Sequence, residues 1–155
     1  MSSTLSAFGL MPLGAWNPGD YASVAHLRPH CPFGISFDVP REWRTKASVV
    51  YAFAVDDSVL YVGETTRGMA SRFEGYRYGN PNPKDTDNRV KLAITQNLAA
   101  GRPVSIWGGQ PVARFQLPSG EVLHVPACKP LEEHLIAMLQ PPLNVKSIHQ
   151  PVATQ

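Results

Sequence analysis

The chain has 155 residues, of which 43% are hydrophobic, with 15 prolines and 12 glycines. That is one domain's worth of sequence with enough apolar content for a core, which excludes disorder throughout; no apolar run approaches the ~18–20 residues of a membrane span, and no repeat period appears. Lys plus Arg is 14 and Asp plus Glu is 12, a formal charge of +2, which permits a nucleic-acid partner without arguing for one.

Proline breaks helices and central strands, so its spacing marks where regular structure is expected. Five prolines fall in the first 40 residues; Arg41–Asn80, Lys84–Arg102 and Leu131–Gln140 have none. Residues 1–47 read mostly as coil, with a short strand near Ile35–Val39, and Phe8, Trp16, Phe33, Phe37 and Trp43 need an apolar surface to cover. Ser48–Val55 is β-branched, aromatic and apolar on both faces, as a central strand is. Asp56-Asp57-Ser58 turns the chain into a second strand, Val59–Gly63, forming a hairpin. Thr65 or Thr66 caps a helix to about Tyr76, with Met69, Arg72, Phe73 and Tyr76 on one face. A loop at Asn80-Pro81-Asn82-Pro83 leads to a helix capped by Asp85, Thr86 or Asp87 and running to Ala100, with Val90, Ala93, Ile94 and Leu98 inward. Pro103–Trp107 reads as a third strand. Val112–Leu117 and Glu121–Val125 read as another hairpin, and a last helix after Pro130 has Leu131, Leu135, Met138 and Leu139 as its core stripe. The class is α+β, a small three-stranded sheet plus an extra hairpin flanked by helices, in the order β-β-α-α-β-(β-β)-α.

Tyr51 and Tyr61 occupy matching points of the first hairpin. The second is followed by Val62-Gly63, where a glycine lets backbone or ligand approach. Arg72 and Tyr76 lie one turn apart on the next helix, and Glu132 opens the last helix with Asn144 twelve residues on. Val49-Val50-Tyr51, Tyr61-Val62-Gly63, Arg72 with Tyr76, and Glu132-x-x-Leu135-Ile136 to Pro141-x-x-Asn144 together resemble the GIY-YIG nuclease family. The last spacing is similar to that of the family domain in the incision nuclease of bacterial excision repair. The resemblance spans about Ser48 to Lys146. It departs from the family pattern in reading Val-Val-Tyr for Gly-Ile-Tyr and in placing Arg72 eleven residues after Tyr61, where ten is commoner; Arg67 is the rival arginine.

The resemblance implies metal-dependent cleavage of a DNA phosphodiester. Tyr51 and Tyr61 would line the site, with Tyr51 the better candidate to orient or deprotonate water. Arg72 would hold the scissile phosphate, since its fork suits charge building on phosphate oxygens. Tyr76 would hydrogen-bond water or phosphate, Glu132 would bind one Mg²⁺ or Mn²⁺, and Asn144 would brace the site. Glu133 is the alternative ligand to Glu132. Gly63, Arg44, Arg67, Asn88, Arg89 and Lys91 are candidate nucleic-acid contacts, although Asn88, Arg89 and Lys91 also suit a solvated helix face. Trp43, in a basic stretch, either touches DNA or closes the core.

Residues 1–47 are expected to form a proline-rich extension packed on a nuclease-like domain over 48–147, with a tail at 148–155. That extension and the Val112–Val125 hairpin are the candidates for substrate choice. DNA is the expected partner and a membrane is not. The chain shows no separate DNA-reading module, so sequence specificity would come from a homodimer or an accessory recognition partner. Two cysteines, Cys31 and Cys128, make no disulfide framework, and no secretory signal opens the chain, so a cytoplasmic location is expected. His26, His30 and Cys31 lack a second ligand pair at zinc spacing. Competing readings are a non-catalytic nucleic-acid-binding or protein-interaction module on the same fold, and a small-molecule enzyme reusing the Tyr/Arg/Glu pocket.

Overall fold

The computed structural model describes residues 2–19, 34–78, 82 and 85–144. The architecture is α+β. Seven strands are present among the described residues: β1 (Met11–Pro18), β2 (Ile35–Asp38), β3 (Val49–Val55), β4 (Ser58–Thr65), β5 (Val104–Gly109), β6 (Val112–Gln116) and β7 (Val122–Pro126). The helices are α1 (Ser2–Ala7), α2 (Met69–Tyr78), α3 (Thr86–Ala99) and α4 (Cys128–Leu139), with 3₁₀ turns at Arg41–Trp43 and Pro142–Asn144. The first five strands form one antiparallel sheet in the order β2-β1-β5-β3-β4.

The three expected strands β3, β4 and β5 lie side by side, and β3 is buried along its whole length. Residues 56 and 57 make the tight turn between β3 and β4, with Asp56 at φ 50°, a left-handed conformation that Asp tolerates better than most residues. The expectation of coil through the first 47 residues is corrected: residues 11–18 form an internal strand between β2 and β5. Its prolines fit because the ladder to β5 shifts register between Pro12 and Gly14, and Pro18 is the last strand residue; proline is tolerated at irregularities and ends. Trp16 plunges from β1 into the core against Phe37, Phe53 and Phe73. The strand expected near Ile35–Val39 is present as β2. Phe33, His26, His30, Cys31, Lys146 and the tail at 148–155 lie outside the described residues.

Helices α2 and α3 cover one face of the sheet through Met69, Phe73, Tyr76, Val90 and Ile94. Helices α1 and α4 cover the other through Leu5, Cys128, Leu135 and Ile136. Asp85 caps α3 by accepting the Asp87 backbone N–H at 2.9 Å. The end of α3 is closed by Gly101 N–H to the Leu98 carbonyl and Arg102 N–H to the Asn97 carbonyl, a Schellman pattern.

Helix α4 begins at Cys128, ahead of Pro130, and buries Leu135 and Ile136; Met138, expected in the core stripe, is exposed. β6 and β7 pair only with each other and stand off the sheet with Val112 and Phe115 each 56% exposed. Trp43 closes the core, with Lys46 4.2 Å above its ring.

Candidate active site

The site forms at β4, an outer strand of the sheet. Alternation along β3 sends Tyr51 and Phe53 to the α2 face and Val50 and Ala52 to the α4 face. Tyr51 pairs with Gly63 across the β3–β4 ladder. A Cβ at Gly63 would fall 2.5 Å from the Tyr51 hydroxyl oxygen and 2.6 Å from its Cζ. The missing side chain is therefore what lets the Tyr51 ring lie flat across β4. It is this ring, and not a nucleic acid, that occupies the space beside the buried Gly63.

At the end of that ring Tyr51 and Tyr76 share a hydrogen bond of 2.6 Å between their hydroxyls, fully buried. Tyr61 completes the cluster, with its ring centroid 5.8 Å from that of Tyr76 and 6.4 Å from that of Tyr51. Burial, helped by Tyr61 and Glu132, pushes the Tyr51 phenol well above its ordinary value against the opposing pull of Arg72 and the Tyr76 bond. Burial likewise raises Tyr76. Both phenols are neutral at neutral pH.

Arg72 projects from α2 over the Tyr76 ring at 4.3 Å and donates through Nη2 to Asp87 Oδ1 at 2.9 Å. Partial burial disfavours its charge, but Tyr51, Tyr76 and Asp87 outweigh that, and the guanidinium stays charged. Room for the Arg72–Asp87 pair comes from Gly75, where a Cβ would meet Asp87 Oδ2 at 2.8 Å and Arg72 Nη1 at 3.0 Å. Arg72 opens onto a cleft also lined by Glu64, Thr65, Thr66, Arg67, Ser71 and Gly75. The two rival arginines thus face one cleft. Thr65 shapes its floor, accepting the Arg67 N–H at 3.2 Å and donating to the Gly68 carbonyl at 3.3 Å.

Glu132 arrives from the other face of the sheet. Its side chain is only 12% exposed and pairs through Oε2 with Lys129 at 2.9 Å, while Glu133 is exposed. Its charge reaches Tyr51 and, together with that of Glu64, reaches Cys128, whose thiol is raised by burial first and then by these two carboxylates. Glu64 and Glu132 thus gather where α4 meets β4. Among the described residues no group of three or more His, Cys, Asp or Glu side chains is placed to hold a metal ion unaided.

Asn144 does not face the cleft. Its Oδ1 accepts the Val62 N–H and its Nδ2 donates to the Val62 carbonyl, both at 2.9 Å and both buried. It fixes the stretch of β4 between Tyr61 and Gly63.

The other candidates are dispersed. Lys91 is interior, 3% exposed, with Nζ on the Tyr78 carbonyl at 3.2 Å, so it is not presented to a ligand. Arg89 is half-buried and donates to Thr86 Oγ1 within its own helix, and Asn88 is half-buried. Arg44 is exposed beside the start of α2.

Sequence reasoning missed Asp87 and Glu64. The spacing of Gly75 three residues after Arg72 was the available signal for Asp87, because three residues on a helix share a face. For Glu64 the only signal was its place next to Gly63, on the strand face opposite Gly63.

No family model matches the sequence, and no curated protein matches it significantly. Solved structures do share its fold. A mutant of EndoII of bacteriophage T4 superposes with a TM-score of 0.60 at 20% identity, covering 92% of this chain and 98% of that one. The restriction endonuclease HPY188I in complex with product DNA superposes with a TM-score of 0.50 at 14% identity, covering 99% of this chain and 84% of that one.

Proposed function

We propose that this protein is a DNA endonuclease of GIY-YIG type that hydrolyses phosphodiester bonds with one divalent cation, Mg²⁺ or Mn²⁺. The observation that carries the reading is the cleft at the end of β4. A charged Arg72 opens onto it with its guanidinium over the ring of Tyr76, which shares a buried hydrogen bond with Tyr51, and Glu132 stands on the helix across the sheet. The fold shared with two endonucleases, one seen with product DNA, supports it.

Arg72 holds the scissile phosphate and stabilises charge on its oxygens, swapping one of its contacts from Asp87 to the substrate. The neutral Tyr51–Tyr76 pair lies buried beneath Arg72 and supports its guanidinium through the Tyr76 ring, and Tyr61 flanks the pair. Glu132 holds the cation, with substrate oxygens and water completing a set that suits Mg²⁺. The donor chemistry fits, because Lys129 bonds only Oε2 and, being 65% exposed, can swing into solvent to leave the carboxylate to a cation. When bound, the cation polarises the phosphate and eases departure of the leaving oxygen.

The test is plasmid nicking with Mg²⁺, with Mn²⁺ and with EDTA, for the wild type, Glu132→Ala and Arg72→Ala. Cleavage is expected only for the wild type with metal. A wild type that leaves several DNA substrates intact while still binding them favours the non-catalytic module, the reading to which the Lys129–Glu132 ion pair lends its weight.

A further inference from the structure

The cations around the cleft fall into two sets. Arg72, Arg77 and Lys129 are ion-paired with Asp87, Glu74 and Glu132. Arg41, Arg44, Lys46 and Arg67 form no ion pair among the described residues. Three of these four belong to the short 3₁₀ turn and its exit, between β2 and β3. Arg41 and Arg44 are exposed and line, with Glu42 and Thr45, a concave surface of their own. The cationic groups of Arg44 and Lys46 rest over aromatic rings, at 4.9 Å from the centre of Phe37 and 4.2 Å from that of Trp43. Such stacking restrains a long side chain without neutralising it.

This turn is joined to the catalytic helix. The Arg44 carbonyl accepts the Ala70 N–H at 3.0 Å, satisfying one of the donors that a helix start leaves unpaired. Gly68, at φ 107°, presses against it so closely that a Cβ would meet the Arg44 carbonyl at 2.7 Å and Thr45 Cα at 3.1 Å. Two residues after Ala70 on the same helix comes Arg72. The distance from the 41–46 turn to the Arg72 cleft is therefore fixed by main-chain contacts. Arg67, on the loop between, faces that cleft.

We propose that Arg41, Arg44 and Lys46 form a phosphate rail that binds the backbone of duplex DNA flanking the scissile phosphate, with Arg67 linking rail to cleft. This rests on the endonuclease reading for the choice of DNA. In the concave surface Arg41 and Arg44 stand against one carboxylate, Glu42, with Lys46 next along the turn, and the surface is held at fixed spacing from the residue assigned to the scissile phosphate; Arg67 shares its cleft with Glu64. Contacts of this kind position a duplex without reading its sequence. They release counterions, so binding weakens with salt by a slope of about 0.9 for each phosphate neutralised.

The test measures binding of the full chain to a short fluorescent duplex of mixed sequence, in EDTA so that nothing is cut, across a salt series. The variants are the triple change Arg41→Gln, Arg44→Gln, Lys46→Gln; Glu42→Gln; and Arg102→Gln at the exposed end of α3 as a control. The triple variant is expected to flatten the log–log salt slope by about 2–3, at ~0.9 per phosphate, and Glu42→Gln to tighten binding severalfold. Arg102→Gln is expected to leave both unchanged. A triple variant that keeps its thermal midpoint and the wild-type slope overturns the rail, as does a Glu42→Gln protein no tighter than wild type. These outcomes are independent of cleavage. A wild type that binds through the rail yet never cuts defeats the endonuclease reading alone, and one that cuts while the triple variant binds normally defeats the rail alone.

Discussion

The two faces of the sheet are built from different stock. Toward α2 and α3, Trp16, Phe37, Tyr51, Phe53, Tyr61, Phe73 and Tyr76 form one aromatic block with ring centroids mostly 5–6.5 Å apart and many pairs edge-on, a geometry worth about 0.5–1.5 kcal/mol per pair beyond burial. Toward α1 and α4 the same strands present Val50, Ala52, Ala54 and Val62. The tyrosines bring hydroxyls into this block, where those of Tyr51 and Tyr76 bond each other in the interior, and the opposite face is lined by smaller side chains. In the proposed site one face would supply the tyrosines and a guanidinium, and the other the Glu132 carboxylate. Such a site would belong to neither face, since its parts meet only if both reach around β4, the last strand of the sheet.

The sharpest way to break that comparison is to remove one face's contribution and keep the other. Glu132→Ala on the α4 side and Arg72→Ala on the α2 side are each expected to cost about 10²–10³ in cleavage rate, the usual effect of deleting a group that stabilises developing charge. Circular dichroism and thermal midpoint near wild type would show that the fold stands. If only one of the two matters, the two-face site is wrong.

Gly63→Ala probes the passage between the faces. The new methyl would overlap the Tyr51 ring, and overpacking of this kind costs about 1–3 kcal/mol, measured as a lower urea midpoint with unchanged slope. A neutral effect would mean that Tyr51 is free to move aside.

The aromatic face alone has an alkaline signature. Tyr51 and Tyr76 have folded-state values raised above that of an exposed tyrosine. Their protonated forms are retained by the fold while the unfolded chain loses those protons near pH ~10. The stability they protect is whole below that pH and is lost as pH climbs above it, by up to about 1.4 kcal/mol per pH unit for each group. Tyr51→Phe is expected to flatten this limb in urea titrations between neutral and strongly alkaline pH; an unaltered limb would count against its burial as a phenol.

The smallest effect belongs to Asp87→Asn. The Arg72–Asp87 pair is about 30% exposed on both sides, so its loss costs up to about 1 kcal/mol of stability. Because Asp87 positions Arg72, the change is expected to lower kcat severalfold while KM moves little. A shift in KM alone would assign it to substrate binding instead.

Much of this was legible in the sequence because each motif lies within one continuous element whose periodicity shows. Tyr51 and Tyr61 sit on adjacent strands, Arg72 and Tyr76 on one helix face, and the Glu132-to-Asn144 spacing spans α4 and its exit. What escaped was set by tertiary geometry. β1 reads as coil because Pro12 and Pro18 look disqualifying, but the bulge against β5 makes room for the first and the second ends the strand. Lys91 looks like a surface cation because nothing in its neighbours announces the Tyr78 carbonyl. Asp87 looks like a helix cap, but Asp85 takes that task, and Asp87 gains a partner only because α2 and α3 pack at Gly75. Ile136 takes the core place expected of Met138 because α4 meets the sheet along the Cys128, Leu135 and Ile136 side of the helix, a rotation set by tertiary packing.

The Asn144 clamp has a consequence for how copies of the chain meet. An outer strand offers bare N–H and C=O groups to any passing strand, and proteins must blunt such edges to stay apart. On β4 the carboxamide of Asn144 occupies Val62 as a single peptide unit of a sixth strand would. It ends the ladder there. The edge beside the candidate site is thus closed to β-sheet extension at Val62, so a second copy cannot continue the sheet through that part of β4.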